Sequence, residues 1–378
     1  MSFEGKRCYF DIAATTPLDN DVVNKMSDTM QRIFGNPSSI HSFGQESKIV
    51  LEKARKQIAT AIHCRTSEVC FTSCGSESNN MVLKGILKKG DHFITGSIEH
   101  PSILKTADFL QNKGVEITLI QPDKFGTISI SKIEESIKDN TKLISIMSAN
   151  NELGTINPIK EIGDLAKQNS ILFHTDAVQS FGKVPFNASE LLCDFISIGA
   201  HKIYGPRGAG ALIIKAGNNL FPLIHGGGQE SNLRAGTENI IDTAGFGKAS
   251  EIAVNNLEKN IQTIKYLSAH FLKGLDENKI EYRINGTNQL PGIFNITFFG
   301  VNANDLVINL DMEGIAISAG SACSAGVVKP SSTLTEIGMT PELALSTVRI
   351  SFGKLNTTEE IDYFIPKLSD IILRLKSS

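Results

Sequence analysis

The chain has 378 residues, of which 41% are apolar and 20% are charged, and its formal net charge is −3. This composition is typical of a globular protein of two or three domains, and the charge balance argues against nucleic acid as an obligate partner. No apolar run reaches the roughly 20 residues of a membrane span, and the N-terminus lacks the features of a signal peptide. We therefore expect a cytoplasmic protein with no membrane partner.

Strand-like and helix-like segments alternate along the first part of the chain. The hydrophobic patterns predict helices over 47–62, 77–89, 101–113, 131–139 and 159–169. They predict strands over 68–73, 92–97, 115–121, 142–150, 171–177, 194–200 and 210–215. Alternation of this kind predicts an α/β fold with a mostly parallel sheet covered by helices.

The pattern changes after about residue 250. A long helical stretch is predicted as far as about residue 276, and it is followed by shorter strands and a C-terminal amphipathic helix over 358–375. The predicted strands are 281–284, 292–300 and 346–353. This part of the chain therefore indicates a second, smaller α+β domain.

The polar residues that follow the predicted strands are the first candidates for chemistry, because ligands of parallel sheets bind at the carboxyl ends of the strands. Asp176 and Lys202 both occupy such positions. An amine and a carboxylate placed in this way suit pyridoxal phosphate (PLP), whose aldehyde bonds to lysine and whose ring nitrogen pairs with an acid. Either residue alone would be interpreted as an ordinary surface charge.

A phosphate group needs backbone donors at the start of a helix, and the stretch around Gly75 and Ser76 offers them. A simple serine helix cap is the commoner use of this pattern. His100 follows another predicted strand and suits ring stacking and proton transfer, although it also fits a turn. Arg349 suits a substrate carboxylate, with a surface ion pair as the alternative.

Six cysteines are scattered without a C-x-x-C pair, which argues against a disulfide framework and against a metal site. Five of them fit buried small side chains. Cys323 differs, because only Ser, Ala and Gly surround it in residues 318–326. This composition predicts a mobile segment that carries an accessible thiol. The cysteines are Cys8, Cys64, Cys70, Cys74, Cys193 and Cys323.

With these residues in view, the chain resembles the cysteine desulfurases of the NifS/IscS type, which are class V aminotransferase-like PLP enzymes. The resemblance runs from end to end. Its motifs are DIAATTP, GNPSSIHSFG, FTSCGSESNN, EHPSI, NNELGT, HTDAVQSFGK, AHKIYGPRG, HGGGQESNLRAGTENI, SAGSACSAG and VRISFG. The segment after Cys323 is similar to the long-loop group of these enzymes.

The resemblance implies fold type I, with a seven-stranded large domain over residues 15–252. A small domain would comprise residues 1–14 and 253–378, and two chains would form a homodimer.

Lys202 would hold PLP, and Asp176 would pair with the ring nitrogen. Gln179 would contact the ring oxygen, His100 would stack on the ring, and Asn151 would lie near the ring and substrate. The remaining cofactor contacts, all to the phosphate, would be Gly75, Ser76, His201 and, from the partner subunit, Thr237.

The resemblance also implies the reaction. Arg349 would bind the carboxylate of L-cysteine, and Lys202 would move its α-proton. Cys323 would attack the substrate sulfur as a thiolate, so that alanine leaves and a persulfide remains. An iron–sulfur scaffold or a tRNA-thiolation carrier would then accept the sulfur. Because a free thiol is only a few per cent thiolate at pH 7, a proton acceptor is needed, and His100 is the candidate.

Three positions depart from the family pattern. Gly199 stands where a phosphate-binding serine is usual, Cys74 precedes the phosphate turn, and Ile12 replaces a polar residue. The missing serine hydroxyl should weaken cofactor binding by about 1 kcal/mol.

Two other functions fit parts of the sequence. A selenocysteine lyase would use the same scaffold without needing Cys323. A non-catalytic adaptor would be expected to have lost some of Lys202, Asp176, His100, Arg349 and Cys323, and all five are present.

Overall fold

The computed structural model describes residues 6–319 and 329–377. The strands are β1 (Cys8–Tyr9), β2 (Val69–Thr72), β3 (His92–Gly96), β4 (Glu116–Ile120), β5 (Thr141–Ser145), β6 (Leu172–Asp176), β7 (Phe195–Gly199), β8 (Gly210–Ile214), β9 (Tyr282–Asn285), β10 (Ile293–Phe298), β11 (Ile315–Ala316), β12 (Ser318–Ala319) and β13 (Thr347–Ser351). The helices are α1 (Asn20–Arg32), α2 (Ser42–Ile62), α3 (Gly75–Ile86), α4 (Pro101–Gln111), α5 (Ile130–Glu135), α6 (Ile159–Gln168), α7 (Ile240–Asn255), α8 (Leu257–Glu277), α9 (Ala303–Met312), α10 (Ser332–Glu336), α11 (Pro341–Leu345) and α12 (Thr358–Lys376).

A seven-stranded sheet forms the centre of the molecule, with the strand order β2-β8-β7-β6-β5-β3-β4. Strand β8 runs antiparallel to both of its neighbours, and the other pairings are parallel. The predicted fold class, a mostly parallel sheet of seven strands, is therefore confirmed. Because β8 is antiparallel to both β2 and β7, β2 runs in the same direction as β7 and the other parallel strands. The carboxyl ends of six strands consequently share one edge of the sheet.

Helices cover both faces of this sheet, which explains why its inner strands are buried on both sides rather than on alternate residues. Strands β3, β7 and β8 are buried at every position. Their aliphatic side chains join those of α2, α3 and α7 in two hydrophobic clusters.

A four-stranded antiparallel sheet, in the order β12-β13-β10-β9, lies in the C-terminal part of the chain. The N-terminal strand β1 joins this part by pairing in parallel with β11. A separate hydrophobic cluster packs beneath the sheet, and Phe10 stacks there against Phe364 with ring centroids 5.0 Å apart. Both ends of the chain therefore contribute to one core.

The long helical stretch predicted after residue 250 is two helices. Helix α7 ends at Asn255, α8 begins at Leu257, and Asn256 between them has non-helical angles of φ −109° and ψ 11°. In the described part of the chain, no helix is long and apolar enough to cross a membrane.

Candidate active site

A cleft of about 890 Å³, partly open to solvent, lies at the carboxyl edge of the central sheet. Most of the predicted site residues line it. They are Gly75, Ser76, His100, Asn151, Asp176, Gln179, His201, Lys202 and Arg349. Two predicted residues stand apart. Thr237 is exposed on the segment before α7 and does not line this cleft, and Cys323 lies outside the described residues.

Lys202 enters the cleft from a short 3-10 helix, Ala200–Lys202, that directly follows β7. Its Nζ donates hydrogen bonds to the carbonyl oxygens of Ala13 and Ala14, at 2.6 and 2.7 Å. Burial and, secondarily, the positive charge of Arg349 lower the pKa of Lys202 to about 8, although Asp11 and Asp176 act in the opposite direction. A lysine whose pKa is lowered in this way is more readily available as a neutral nucleophile or base.

Asp176 is the last residue of β6 and is only 7% exposed. Its carboxylate accepts hydrogen bonds from Asn79 Nδ2 at 2.7 Å and from the backbone N–H of Val178 at 3.0 Å. Both donors are neutral. Among the ion pairs formed by the described residues, none includes Asp176, so its charge is available to a cationic group in the cleft.

The turn between β2 and α3 provides the N-terminal end of a twelve-residue helix. A Cβ atom at Gly75 would lie 2.5 Å from Val178 Cγ2, so only glycine fits this position without displacing its neighbour. Ser76, in the first turn of α3, is exposed at the cleft. Backbone N–H groups and a hydroxyl at a helix start suit an anion such as phosphate.

Arg349 lies at the centre of β13 and reaches the cleft from the C-terminal sheet. Its Nη2 forms an ion pair with Asp11 at 2.8 Å, and its Nη1 donates to the carbonyl oxygen of Asn151 at 2.7 Å. Nε is buried without a hydrogen-bond partner among the described residues. The guanidinium is thus held in place on two sides and retains donor capacity.

Gln179 has a fixed amide orientation. Its Nε2 donates to the carbonyl oxygen of Ala13 at 2.9 Å, and its Oε1 accepts from Lys183 Nζ at 3.0 Å. Burial and, secondarily, the positive charges of Lys202 and Arg349 lower the pKa of Lys183 to about 7. Lys183 therefore supports the wall of the cleft behind Gln179.

His201 lies beside Lys202, and its Nδ1 is 3.3 Å from Thr15 Oγ1. Burial and, secondarily, the charge of Lys202 lower the pKa of His201 to about 4. Without a bound anion the ring is therefore neutral at pH 7, and it can offer a phosphate oxygen an N–H donor.

His100 is the N-cap residue of α4, and its Nδ1 accepts from the backbone N–H of Ser102 at 3.2 Å. The Ser102 hydroxyl lies 2.8 Å from the same nitrogen, and Asn79 donates to that hydroxyl at 2.8 Å. Burial lowers the pKa of His100, Asp176 partly offsets this, and Lys202 adds to it.

Sequence reasoning missed the polar residues behind the cleft, namely Asn79, Ser102, Lys183 and Asp11. Each of them lies within a motif that carries the family resemblance. Their residue types gave no separate signal, since an asparagine inside a helix or a serine after a proline is common on a protein surface.

The cleft fits PLP. It combines a buried carboxylate that only neutral groups contact, a lysine with a lowered pKa and a helix start that excludes a Cβ atom. These are the groups needed by the ring nitrogen, the aldehyde and the phosphate, respectively. Among the described residues, no cluster of three or more His, Cys, Asp or Glu side chains could hold a metal ion.

Comparisons with known proteins agree with this geometry. The model of the class-V aminotransferase family matches residues 8–364. The chain is 43% identical to the cysteine desulfurase IscS of Dictyoglomus turgidum, over 98% of this chain and 96% of that protein. It is 42% identical to the corresponding protein of Methanosarcina thermophila, over 100% of this chain and 95% of the other.

Solved structures show the same similarity. A NifS-like protein superposes with a TM-score of 0.92 and is 35% identical, covering 98% of this chain and 100% of its own. A structure described as SspA in complex with cysteine superposes with a TM-score of 0.82 at 36% identity, covering 93% of this chain and all of the other. The chain therefore belongs to the PLP-dependent class-V aminotransferase family and, within it, to the cysteine desulfurases.

Proposed function

We propose that the chain converts L-cysteine to L-alanine and retains the sulfur as a persulfide on Cys323. The observation that supports this most strongly is the convergence on one cleft of Asp176 from the end of β6, Lys202 from the turn after β7 and Arg349 from the centre of β13. Within the family, these residue types supply a cofactor anchor, a ring-nitrogen partner and a carboxylate clamp. Other residues of the cleft complete the cofactor site.

Lys202 would hold PLP, and the Asp176 carboxylate would keep its ring nitrogen protonated. When bound, PLP supplies an electron sink next to the substrate α-carbon. Gln179 would donate from Nε2 to the ring oxygen, because Lys183 already occupies its Oε1. The ring of His100 would stack on the cofactor, and Asn151 would lie close to the ring and the substrate.

The phosphate would lie against the start of α3. Gly75 and Ser76 would contribute N–H and hydroxyl donors, and His201 would contribute a neutral imidazole. The absence of a Cβ atom at Gly75 lets the backbone approach the anion closely. The partner subunit would complete this set with its Thr237.

Arg349 would bind the substrate carboxylate and thereby orient the Cα–H bond towards Lys202. Its ion pair with Asp11 holds the guanidinium in position before substrate arrives. The Lys202 amine, with its pKa near 8, can take the α-proton near neutral pH and return it later. These two residues would therefore fix the substrate and move its proton.

The Cys323 thiolate would attack the substrate sulfur, so that the carbon–sulfur bond breaks and a sulfur–sulfur bond forms. The carbon fragment gains a proton and leaves as alanine. The persulfide would then pass to a thiol of an acceptor protein, such as an iron–sulfur scaffold or a tRNA-thiolation carrier. The chain is similar to the long-loop group after Cys323, and this similarity supports a direct transfer, which we propose to take place in the cytoplasm.

We propose that the active form is a homodimer. Large apolar side chains are exposed on α2 and the segment before it, including Ile40 at 95% and Phe34 at 77% exposure. Phe34 also packs on Phe43, with ring centroids 5.2 Å apart. Apolar exposure of this extent marks an interface in a globular protein. A dimer would also explain why Thr237 is exposed and does not line the cleft of its own chain.

The division into domains is also a proposal. Residues 15–252 would form the large domain, and residues 1–14 with 253–378 would form the small one. The separate hydrophobic clusters beneath the two sheets support this division.

Reconstitution with PLP and a parallel assay of alanine release from L-cysteine test the proposed function. We expect the wild-type protein and Lys160→Ala, a change of an exposed lysine on α6, to turn yellow and release alanine. Lys202→Ala should remain without the yellow colour of the bound cofactor, and it should release alanine far more slowly than the wild-type protein. Alanine formed from selenocysteine but not from cysteine would indicate the lyase, and no product from a PLP-loaded protein would indicate the adaptor.

A further inference from the structure

Four side chains form a continuous hydrogen-bonded path from the buried carboxylate to the imidazole of the cleft. Asn79 on α3 donates from Nδ2 to Asp176 Oδ2 at 2.7 Å and to Ser102 Oγ at 2.8 Å. Ser102 Oγ in turn lies 2.8 Å from His100 Nδ1. The path joins three elements, α3, α4 and β6, and none of its members is adjacent in sequence.

Asn79 fixes the direction of the first two hydrogen bonds in this path. A carboxylate only accepts hydrogen bonds, so the amide nitrogen of Asn79 must face Asp176. The same nitrogen supplies the second proton to Ser102 Oγ. Because that oxygen already accepts, its own proton is free for the remaining neighbour, His100 Nδ1. The hydroxyl can therefore donate to the imidazole whenever Nδ1 is unprotonated.

The backbone supports the same direction. The N–H of Ser102 also points at His100 Nδ1, with a distance of 3.2 Å, and a backbone N–H cannot become an acceptor. A proton on Nδ1 would face this N–H directly, and the two donors would repel each other. In the neutral ring, Nδ1 is thus the acceptor and Nε2 carries the proton.

We propose that Asn79 and Ser102 are positioning residues that hold His100 in its Nε2–H tautomer, so that it presents a hydrogen-bond donor to the cleft. Nε2 has no hydrogen-bond partner among the described residues and lies on the side of the ring opposite Ser102. His100 would then donate a hydrogen bond from Nε2 to a group bound in the cleft. Its other nitrogen is blocked as a proton acceptor until two hydrogen bonds break.

This arrangement changes the expectation for the Cys323 thiol. A histidine that is protonated on Nε2 and blocked on Nδ1 is a poor proton acceptor in the resting state. Its role in the reaction is instead to donate a hydrogen bond from Nε2 to a negative charge that develops near it. The inference rests on the proposed function for this role, but the tautomer itself does not depend on catalysis.

The test is nitrogen NMR of the histidine rings in the full-length protein, both PLP-free and PLP-loaded. The chain has eight histidines, and the loss of one signal set in His100→Asn assigns His100. At neutral pH, the shifts of wild-type His100 should show an unprotonated Nδ1 and a protonated Nε2. A protonated Nδ1 in the neutral ring would overturn the proposal.

Ser102→Ala removes the hydroxyl and leaves the backbone donor in place. Protonation of His100 then breaks one hydrogen bond instead of two, so its pKa should rise by about 0.5–1 unit. Ser102→Thr keeps a hydroxyl and should restore the wild-type value. The other titratable groups around His100 are Asp176 of β6, Lys202 and His201 after β7, and Glu99 on its own segment. All of them remain in these variants.

Thr106→Val is the matched control. Thr106 on α4 donates to Asn80 Oδ1 on α3 at 3.0 Å, so this variant loses a hydrogen bond between the same two helices outside the path. It should leave the His100 shifts and pKa unchanged. The positioning role would be refuted if Ser102→Ala left the His100 shifts and pKa unchanged. It would also be refuted if Thr106→Val changed the His100 pKa as much as Ser102→Ala does. If alanine release failed while the predicted shifts appeared, the proposed function alone would be contradicted.

Discussion

Gly199→Ser should strengthen PLP binding, because it adds a hydroxyl where the family usually has one. The backbone permits the change, since Gly199 has extended angles of φ −140° and ψ 141° that any residue adopts. An added Cβ atom would lie 3.5 Å from Val178 Cγ1 and 3.7 Å from His201 Cδ2, both ordinary contact distances. Val178 and His201 line the cleft, so the new side chain would be close to the phosphate end of the site.

The expected gain follows from one added hydroxyl hydrogen bond. Such a bond contributes about 1 kcal/mol net, which corresponds to a roughly fivefold lower dissociation constant. Titration of the PLP-free protein with PLP, followed by absorbance or fluorescence, measures this constant. Gly199→Ala is the control, because it adds the Cβ atom without the hydroxyl. Equal affinity of the Ser and Ala variants for PLP would refute the reasoning.

Three further predictions concern the cofactor cradle and the stability of the fold. Gly75→Ala should weaken PLP binding at least tenfold, because the new Cβ atom would overlap Val178 Cγ2, and adding Val178→Ala should recover part of the loss in the same titration. His174 is fully buried, and burial lowers its pKa to about 3, so only the unfolded chain gains its proton as the pH falls below about 6.5. His174 alone should contribute a loss of about 2 kcal/mol of unfolding free energy between pH 7 and pH 5, so in urea titrations His174→Gln should lose about that much less than the wild-type protein; equal losses would refute this. Arg55→Ala would leave the buried carboxylate of Glu230 without its bidentate partner and should cost about 3–5 kcal/mol of unfolding free energy, whereas a cost under about 1 kcal/mol would contradict the argument.

The sequence predicted the central sheet well because each strand is a short apolar run followed by polar residues. Asp176 and Lys202 could be assigned to one site because β6 and β7 are parallel neighbours whose carboxyl ends meet. The break at Asn256 was missed, since asparagine is tolerated inside a helix and only packing reveals the change of direction. Helix α1 was missed as well.

The supporting hydrogen bonds were beyond sequence reasoning for a different reason. Asn79 and Asp176 are 97 positions apart, and their contact depends on how α3 packs across the end of β6. Lys183 likewise acts on Gln179 four residues away, in a segment that is neither helix nor strand. Hydrophobic periodicity predicts which face of an element is buried, but it does not specify which polar groups meet behind a site.

Mass spectrometry of the PLP-loaded protein after L-cysteine tests most directly whether Cys323 accepts the substrate sulfur. We predict one additional sulfur atom on the peptide that contains Cys323, removed by reductant and matched by an equal amount of alanine. The peptide that contains Cys64 is an internal control, because burial raises the pKa of that thiol to about 12 and it lies outside the cleft. Alanine without a modified Cys323 would contradict this prediction.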